Sequence, residues 1–203
     1  MSNHLIIFIK NSELGKVKTR ISKSMGDVKA LDIYGHLLLK THDLAVQLNV
    51  LRHLYYDAKI NVSDQWSNQK FYKYLQEGLS LGDRMQNAFN NIFSKAQSND
   101  VTKVIIIGSD CPYLKSQHIE SALEALDLSD IVIGPTFDGG YYLLGMKNFN
   151  PEIFRGINWS TDVVYAQTIQ AIQQNGLSYL NLQTLNDIDT EKDWIEYQST
   201  LIA

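Results

Sequence analysis

The sequence predicts an α/β fold, a three-layer sandwich around a central mixed, mostly parallel sheet. Short apolar runs rich in β-branched residues recur along the 203-residue chain, and stretches with helical spacing of apolar side chains separate them. A third observation makes the sheet mixed. Gly139-Gly140 lies between two β runs, where a hairpin or tight turn would reverse one strand.

Each element has its own warrant. Leu5–Ile9 reads as a first buried strand, Val28–Leu48 as a helix through Leu31, Leu38, Leu39, Ala45 and Leu48, and Leu51–Tyr56 as an alternating second strand. Asn61–Gln69 is polar and reads as a surface excursion. Leu81–Ala96 places Met85, Ala88, Phe89, Ile92 and Phe93 on one helical face, and Val104–Ile107 is a fully apolar run that reads as the central strand. A helix over Ile119–Leu126, strands over Ile131–Gly134 and Tyr141–Met146, a helix over Thr161–Gln174, a strand over Tyr179–Leu182 and a helix over Glu191–Thr200 complete the alternation. Ser160 reads as the cap of the helix that follows it, and Trp159 as core or pocket wall.

Composition bounds the function. A chain that is 44% hydrophobic and 20% charged can bury one large core, so a single domain over residues 1–203 is expected. No apolar stretch reaches the ~18 residues of a membrane span, and the N-terminus enters a strand pattern with no basic leader, so a cytoplasmic protein is expected. The lone Cys111 excludes an internal disulfide and a cysteine-based zinc site and reads as a small buried apolar residue. The five histidines form no metal-binding array of the H-E-x-x-H kind. Residues 1–100 carry 13 Lys+Arg against 9 Asp+Glu, whereas residues 101–203 carry 5 against 13. That asymmetry suits an anionic substrate bridged to a metal, while a pI near 5.7 and the lack of a Lys/Arg stripe oppose nucleic acid.

Four segments carry candidate chemistry. Asp110 follows Val104-Ile105-Ile106-Ile107-Gly108-Ser109, where strands of open α/β sheets end and ligands gather; its carboxylate can hold a divalent cation or simply begin the next turn. Lys16, Lys18 and Arg20 sit in the loop after the first strand at a spacing that would put all three on one side of an extended segment, facing phosphate or solvent. Gly78 and Gly82 would allow close backbone approach to a ligand, and Arg84 a phosphate or ribose contact, at what is also an ordinary helix start with Asp83 in its first turn. Asp138-Gly139-Gly140-Tyr141-Tyr142 would let backbone lie against an acceptor with Asp138 as base, or form a plain hairpin. Neither a P-loop nor a dinucleotide fingerprint occurs.

Lys16–Arg20, Leu81–Met85, Gly108–Pro112, Gly134–Tyr142 and Asp187–Thr190 occur in the order seen in the radical-SAM/selenodomain-associated glycosyltransferase-like family (DUF2064), which the chain resembles over almost its whole length. More loosely it is similar to phospholactate guanylyltransferases and molybdenum-cofactor nucleotidyltransferases, which share the nucleotide-diphospho-sugar transferase (GT-A) fold. The resemblance implies that Asp110 holds Mg²⁺ or Mn²⁺ with Asp189, or else Asp187, completing the site, because a local Asp-x-Asp is absent here. It implies nucleotide contacts from Lys16, Lys18, Arg20, Gly82, Arg84 and Ser109, acceptor contacts from Asp138, Gly139, Gly140 and Tyr141, and catalytic roles for Lys18 and Asp138. Thr190-Glu191-Lys192-Asp193 also fits a helix cap, which accounts for Thr190 and Asp193 but not for Asp187 and Asp189. The leading expectation is glycosyl transfer from a nucleotide-diphospho-sugar to a small-molecule acceptor. The alternatives are transfer of NMP from an NTP to a small phosphorylated acceptor, and a nucleotide-binding scaffold without turnover.

Overall fold

The computed structural model describes residues 2–96 and 101–201, so residues 1, 97–100 and 202–203 of the expected 1–203 domain lie outside the described residues. Among these, β1 (Ser2–Ile9), β2 (Leu51–Tyr56), β3 (Tyr72–Leu75), β4 (Thr102–Ile107), β5 (Ile131–Pro135), β6 (Tyr141–Met146) and β7 (Tyr179–Asn181) form one sheet in the order β3-β2-β1-β4-β6-β5-β7. Its neighbours are parallel except where β6 meets β4 and β5. The expected hairpin at Gly139-Gly140 is the cause of that reversal, with Thr136 N–H donating to the Gly140 carbonyl across the turn.

Alternation along the strands divides the core into two layers. Leu5, Ile7 and Ile9 of β1 with Ile105 and Ile107 of β4 pack beneath α2 (Asp27–Gln47) and α4 (Ser116–Leu128), whereas Ile6, Val104 and Ile106 face α3 (Leu81–Phe93) and α5 (Val164–Gln174). A smaller cluster joins Ile21 of α1 (Thr19–Met25), Ala30, Ile33 and Leu37 of α2, Ile188, and Trp194 and Tyr197 of α6 (Glu191–Thr200). Among the described residues no helix is long and apolar enough to cross a membrane.

The structure corrects several local expectations. α1 begins inside the segment expected to be extended, because a turn from Glu13 to Lys16 reverses the chain before Thr19. β3 is an additional edge strand; its period was hidden by the mixed polarity of Tyr72-Lys73-Tyr74-Leu75. The stretch before it is more than surface, since Trp66 is fully buried against Phe71. α5 starts at Val164 and not at Thr161: Ser160 has a positive φ of 65°, which is incompatible with the cap geometry expected of it.

Candidate functional site

The strand order itself fixes where a ligand can sit. The chain runs from β1 outward to β2 and β3, then returns to β4 on the other side of β1, so the crossover connections diverge above the carboxyl ends of β1 and β4. Parallel register pairs Ile7 with Ile107, which brings Lys10 and Asp110 level just beyond the two strand ends. A cleft of about 700 Å³ opens there, with Lys10, Lys18, Arg20, Asp57, Gln76 and Asp110 among its walls. A shallow depression on the outer face of α6, lined by Glu191, Lys192, Ile195 and Glu196, has no comparable set of buried charges.

Lys18 stands at the centre of the cleft's charge. Its ammonium lies 2.7 Å from Asp110 Oδ1 and 3.3 Å from Asp189 Oδ1, and its side chain is only 5% exposed. Burial alone would lower its pKa, but the two carboxylates outweigh that and hold the ammonium above the usual lysine value. The backbone at Lys18 is left-handed, with φ 45° and ψ 48°, an uncommon conformation for a residue with a side chain. Two anchors hold it there. Ser22 N–H donates to the Lys18 carbonyl as the first bond of α1, and one turn into that helix Ile21 is buried against Ile188. Arg20, on the exposed side, donates to Asp189 Oδ2 at 3.2 Å.

Asp189 reaches Asp110 through a backbone tie. Ile188 is fully buried and its N–H donates to the Asp110 carbonyl at 2.9 Å, which draws the last loop onto the β4 loop and leaves Asp187 and Asp189 to line the cleft on either side. The capping box of α6, Thr190 with Asp193, then fixes the direction in which the loop leaves. Asp187 is the member of this loop that sequence reasoning kept only as a substitute ligand. Burial, then the neighbouring charges of Asp138, Asp189 and Asp110, push its carboxyl from the ordinary 3.8 up to about 7. The Asp187-Ile188-Asp189 alternation was the available signal, because an apolar residue anchored in the core obliges its neighbours to face elsewhere.

The other expected residues divide. Ser109 lines the cleft with its hydroxyl 3.4 Å from that of Tyr34, whose other contacts are the N–H and carbonyl of Lys10. Arg84 lines it too, its Nε tied to the Gly78 carbonyl. Asp138 spends one oxygen on the Thr136 hydroxyl and the Gly140 N–H, which hold the hairpin turn, and Gly140 and Tyr141 lie in the wall. Three expected residues fall outside. Lys16 is exposed and ion-paired with Glu13 at 2.7 Å, carried away by the turn that replaces the extended segment. At Gly82 the room that glycine leaves is taken by the Trp159 ring, 2.2 Å from where a Cβ would stand, so the glycine admits a side chain of this protein and no ligand backbone. Gly139, at φ 89°, turns its back on the cleft and packs on the Asp162 carbonyl, 1.9 Å from a built Cβ. Cys111 is partly buried against the core, and burial raises its thiol pKa to about 12, which removes it as a nucleophile.

The donor set suits a hard divalent cation. Among the described residues no three of His, Cys, Asp or Glu converge as a preformed metal cage. Magnesium, however, is commonly held by one or two carboxylates with substrate phosphate and water supplying the rest. Asp110 and Asp189 share one cation, the Lys18 ammonium, so both carboxylates face a common positive charge.

Comparison with known proteins agrees with this architecture. The chain is 24% identical over 146 residues to a 2-phospho-L-lactate guanylyltransferase of Methanocaldococcus vulcanius, an alignment covering 72% of this chain and 63% of that protein. It thus spans about three fifths of the length of the curated relatives it matches. A crystal structure from Desulfovibrio desulfuricans G20, described as a candidate nucleotide-diphospho-sugar transferase, superposes with a TM-score of 0.88 at 32% identity, covering 98% of this chain and 88% of that one. At 9% identity, a 4-diphosphocytidyl-2C-methyl-D-erythritol synthase shares the fold alone, with a TM-score of 0.64 and 98% of each chain covered. Residues 41–161 match the model of a family described as an uncharacterized protein conserved in bacteria, and the chain belongs to that family, DUF2064.

Proposed function

We propose that this protein is a cytoplasmic, metal-dependent nucleotidyltransferase that moves a nucleoside monophosphate from an NTP to a small phosphorylated acceptor. The observation that carries the reading is the buried Lys18 ammonium, shared by Asp110 and Asp189 at the switch point of the sheet. Here positive groups that can receive phosphate stand beside carboxylates that can receive a cation. The guanylyltransferase relatives favour an NTP, and among NTPs they favour GTP with a phosphorylated hydroxy acid as acceptor. This reverses the order of the sequence-based expectations, in which glycosyl transfer came first.

In this mechanism Lys18 and Arg20 neutralise the triphosphate, and Arg84 and Ser109 position it. Mg²⁺ or Mn²⁺, held by Asp110 and Asp189, would supply charge stabilisation to the departing phosphates. Asp138, with one oxygen engaged in the turn, keeps the other for orienting the acceptor across the Gly140–Tyr141 wall. An acceptor phosphate oxygen attacks the α-phosphorus, the bond to the β-phosphate oxygen breaks, and pyrophosphate leaves. The glycosyl reading keeps one specific support, the D. desulfuricans structure and its description. Incubation with each NTP and a set of phosphorylated hydroxy acids, with Mg²⁺, should release pyrophosphate. Release of nucleoside diphosphate from nucleotide-sugars, with no pyrophosphate from any NTP, would replace this reading by the glycosyl one.

A further inference from the structure

The cation that unites Asp110 and Asp189 is part of the chain. A metal coordinated by both Oδ1 atoms at about 2.0–2.1 Å would have to stand against the Lys18 ammonium, which contacts those same two oxygens. Two positive charges at such a separation, one of them on a buried ammonium, repel each other. The remaining oxygen of Asp189 is taken as well, by Arg20. Joint coordination through these two Oδ1 atoms therefore requires the ammonium to leave.

Three further observations bear on how readily it leaves. The Lys18 backbone is fixed in the left-handed region by the start of α1, so the contact with the two carboxylates is made and released by the side chain alone. Among the described residues its ammonium makes charged contacts only with these two carboxylates, both of them partly open to solvent at 44% and 38%. The buried ammoniums of Lys73 and Lys103, by contrast, each take one carboxylate and at least one backbone carbonyl, acceptors that no ligand would claim. The flexible four-carbon stem of lysine can carry the charge to a nearby phosphate without moving the helix behind it.

We propose that Lys18 is a tethered counter-cation: it closes the Asp110–Asp189 pair in the nucleotide-free protein and is drawn off by nucleotide phosphate, so that metal binding depends on nucleotide arriving first or together with it. This rests on the nucleotidyltransferase reading for the identity of the second ligand. It assigns Lys18 an ordering role in addition to phosphate contact.

The test is Mn²⁺ titration of the full-length protein, followed by the electron paramagnetic resonance signal of the free ion. Without nucleotide the wild type should bind Mn²⁺ weakly, and Lys18→Met should bind it roughly tenfold or more tightly, because the competing charge is gone. Lys18→Arg keeps the charge and should stay weak, and adding Asp110→Asn to Lys18→Met should abolish the gain. With GTP present, the wild type should approach the Mn²⁺ affinity of Lys18→Met. Circular dichroism confirms folding, and Lys18→Gln replaces Lys18→Met should the latter unfold. Equal Mn²⁺ affinity of wild type and the neutral variants without nucleotide overturns the inference. Calorimetry with GTP judges the functional reading separately: no nucleotide binding by the wild type refutes that reading, while the nucleotide-free titrations still decide whether Lys18 excludes metal.

Discussion

Two lysines of this protein are equally buried and mean different things. Lys103, at the amino end of β4, and Lys18, above its carboxyl end, each have side chains only 5% exposed. Lys103 sits in regular strand and gives its ammonium to Asp127 at 2.6 Å and the Leu123 carbonyl at 2.7 Å, one charge against one charge. Lys18 sits in left-handed backbone against Asp110 and Asp189, in a cleft also lined by Asp138 and Asp187 and by the cations Lys10, Arg20 and Arg84. Burial of a charge therefore does not mark a site in this fold. What marks it is a surplus of one sign, held where the topology opens the sheet.

The comparison breaks first at Asp110. Asp110→Asn should reduce turnover by about a hundredfold or more while lowering the melting temperature by only a few degrees, since a carboxylate serving a cation and phosphate is removed and Lys18 keeps Asp189. Steady-state pyrophosphate release and a thermal melt on the same preparation check this. Retained turnover would return Asp110 to the role of a turn residue.

At the other end of β4 the expectation inverts. Asp127→Ala leaves the Lys103 ammonium buried with, among the described residues, only a carbonyl to receive it, which should cost about 1–3 kcal/mol and lower the melting temperature by several degrees, with turnover intact. Asp127 is itself about half exposed, which keeps the figure toward the lower end. A loss of turnover without a loss of stability would mean that the two ends of β4 are coupled and that the contrast drawn between them is false.

Legibility followed the physics of each signal. Val104–Ile107 and Leu5–Ile9 were readable because a strand buried on both faces must be apolar throughout, and Asp110 was readable because it ends one of them. The reversal of β6 was readable from Gly139-Gly140. The Tyr72–Leu75 edge strand was not, since an edge strand half open to water has no obligatory pattern. Within the site, residue spacing puts Lys16 and Lys18 on the same side and only the resemblance sets Lys18 apart; the turn from Glu13 to Lys16 and the left-handed residue at Lys18 are what separate them in space. Gly82 was misread for the same kind of reason: a glycine announces that something approaches closely, and Trp159 was as good a candidate as a ligand.

A milder way to sharpen the comparison uses pH. The Asp187 carboxyl is raised from 3.8 to about 7 by burial and then by its acidic neighbours, so the folded protein binds a proton there more tightly than the unfolded chain does. Between those two values the native state holds more protons, and stability accordingly falls as pH rises from about 4 to about 7. Asp187→Asn should remove that slope, raising metal-free stability at pH 7–8 by up to about 4 kcal/mol and changing little near pH 4. Chemical denaturation in EDTA at several pH values checks it. An unchanged slope would mean that Asp187 is ionised and solvated, and that the surplus of negative charge in the cleft is smaller than its geometry implies.

The smallest expected effect is at Lys16, and it tests the boundary of the site. Lys16 lies two residues from Lys18 in sequence, yet its ammonium faces Glu13, which Lys59 also holds at 3.1 Å, and it takes no part in the cleft wall. Exposed charges of this kind are screened within about 8–10 Å at ordinary ionic strength. Lys16→Ala should therefore leave nucleotide affinity within about twofold of the wild type, and raising the salt should erase even that difference. Arg20→Ala, by contrast, removes a cation already turned toward Asp189 and the cleft and should weaken nucleotide binding roughly tenfold. Calorimetric titration of the two variants side by side separates them. If Lys16→Ala loses as much as Arg20→Ala, the turn between Glu13 and Lys16 must open when nucleotide binds, and the phosphate-binding surface then includes all three cations that the sequence first suggested.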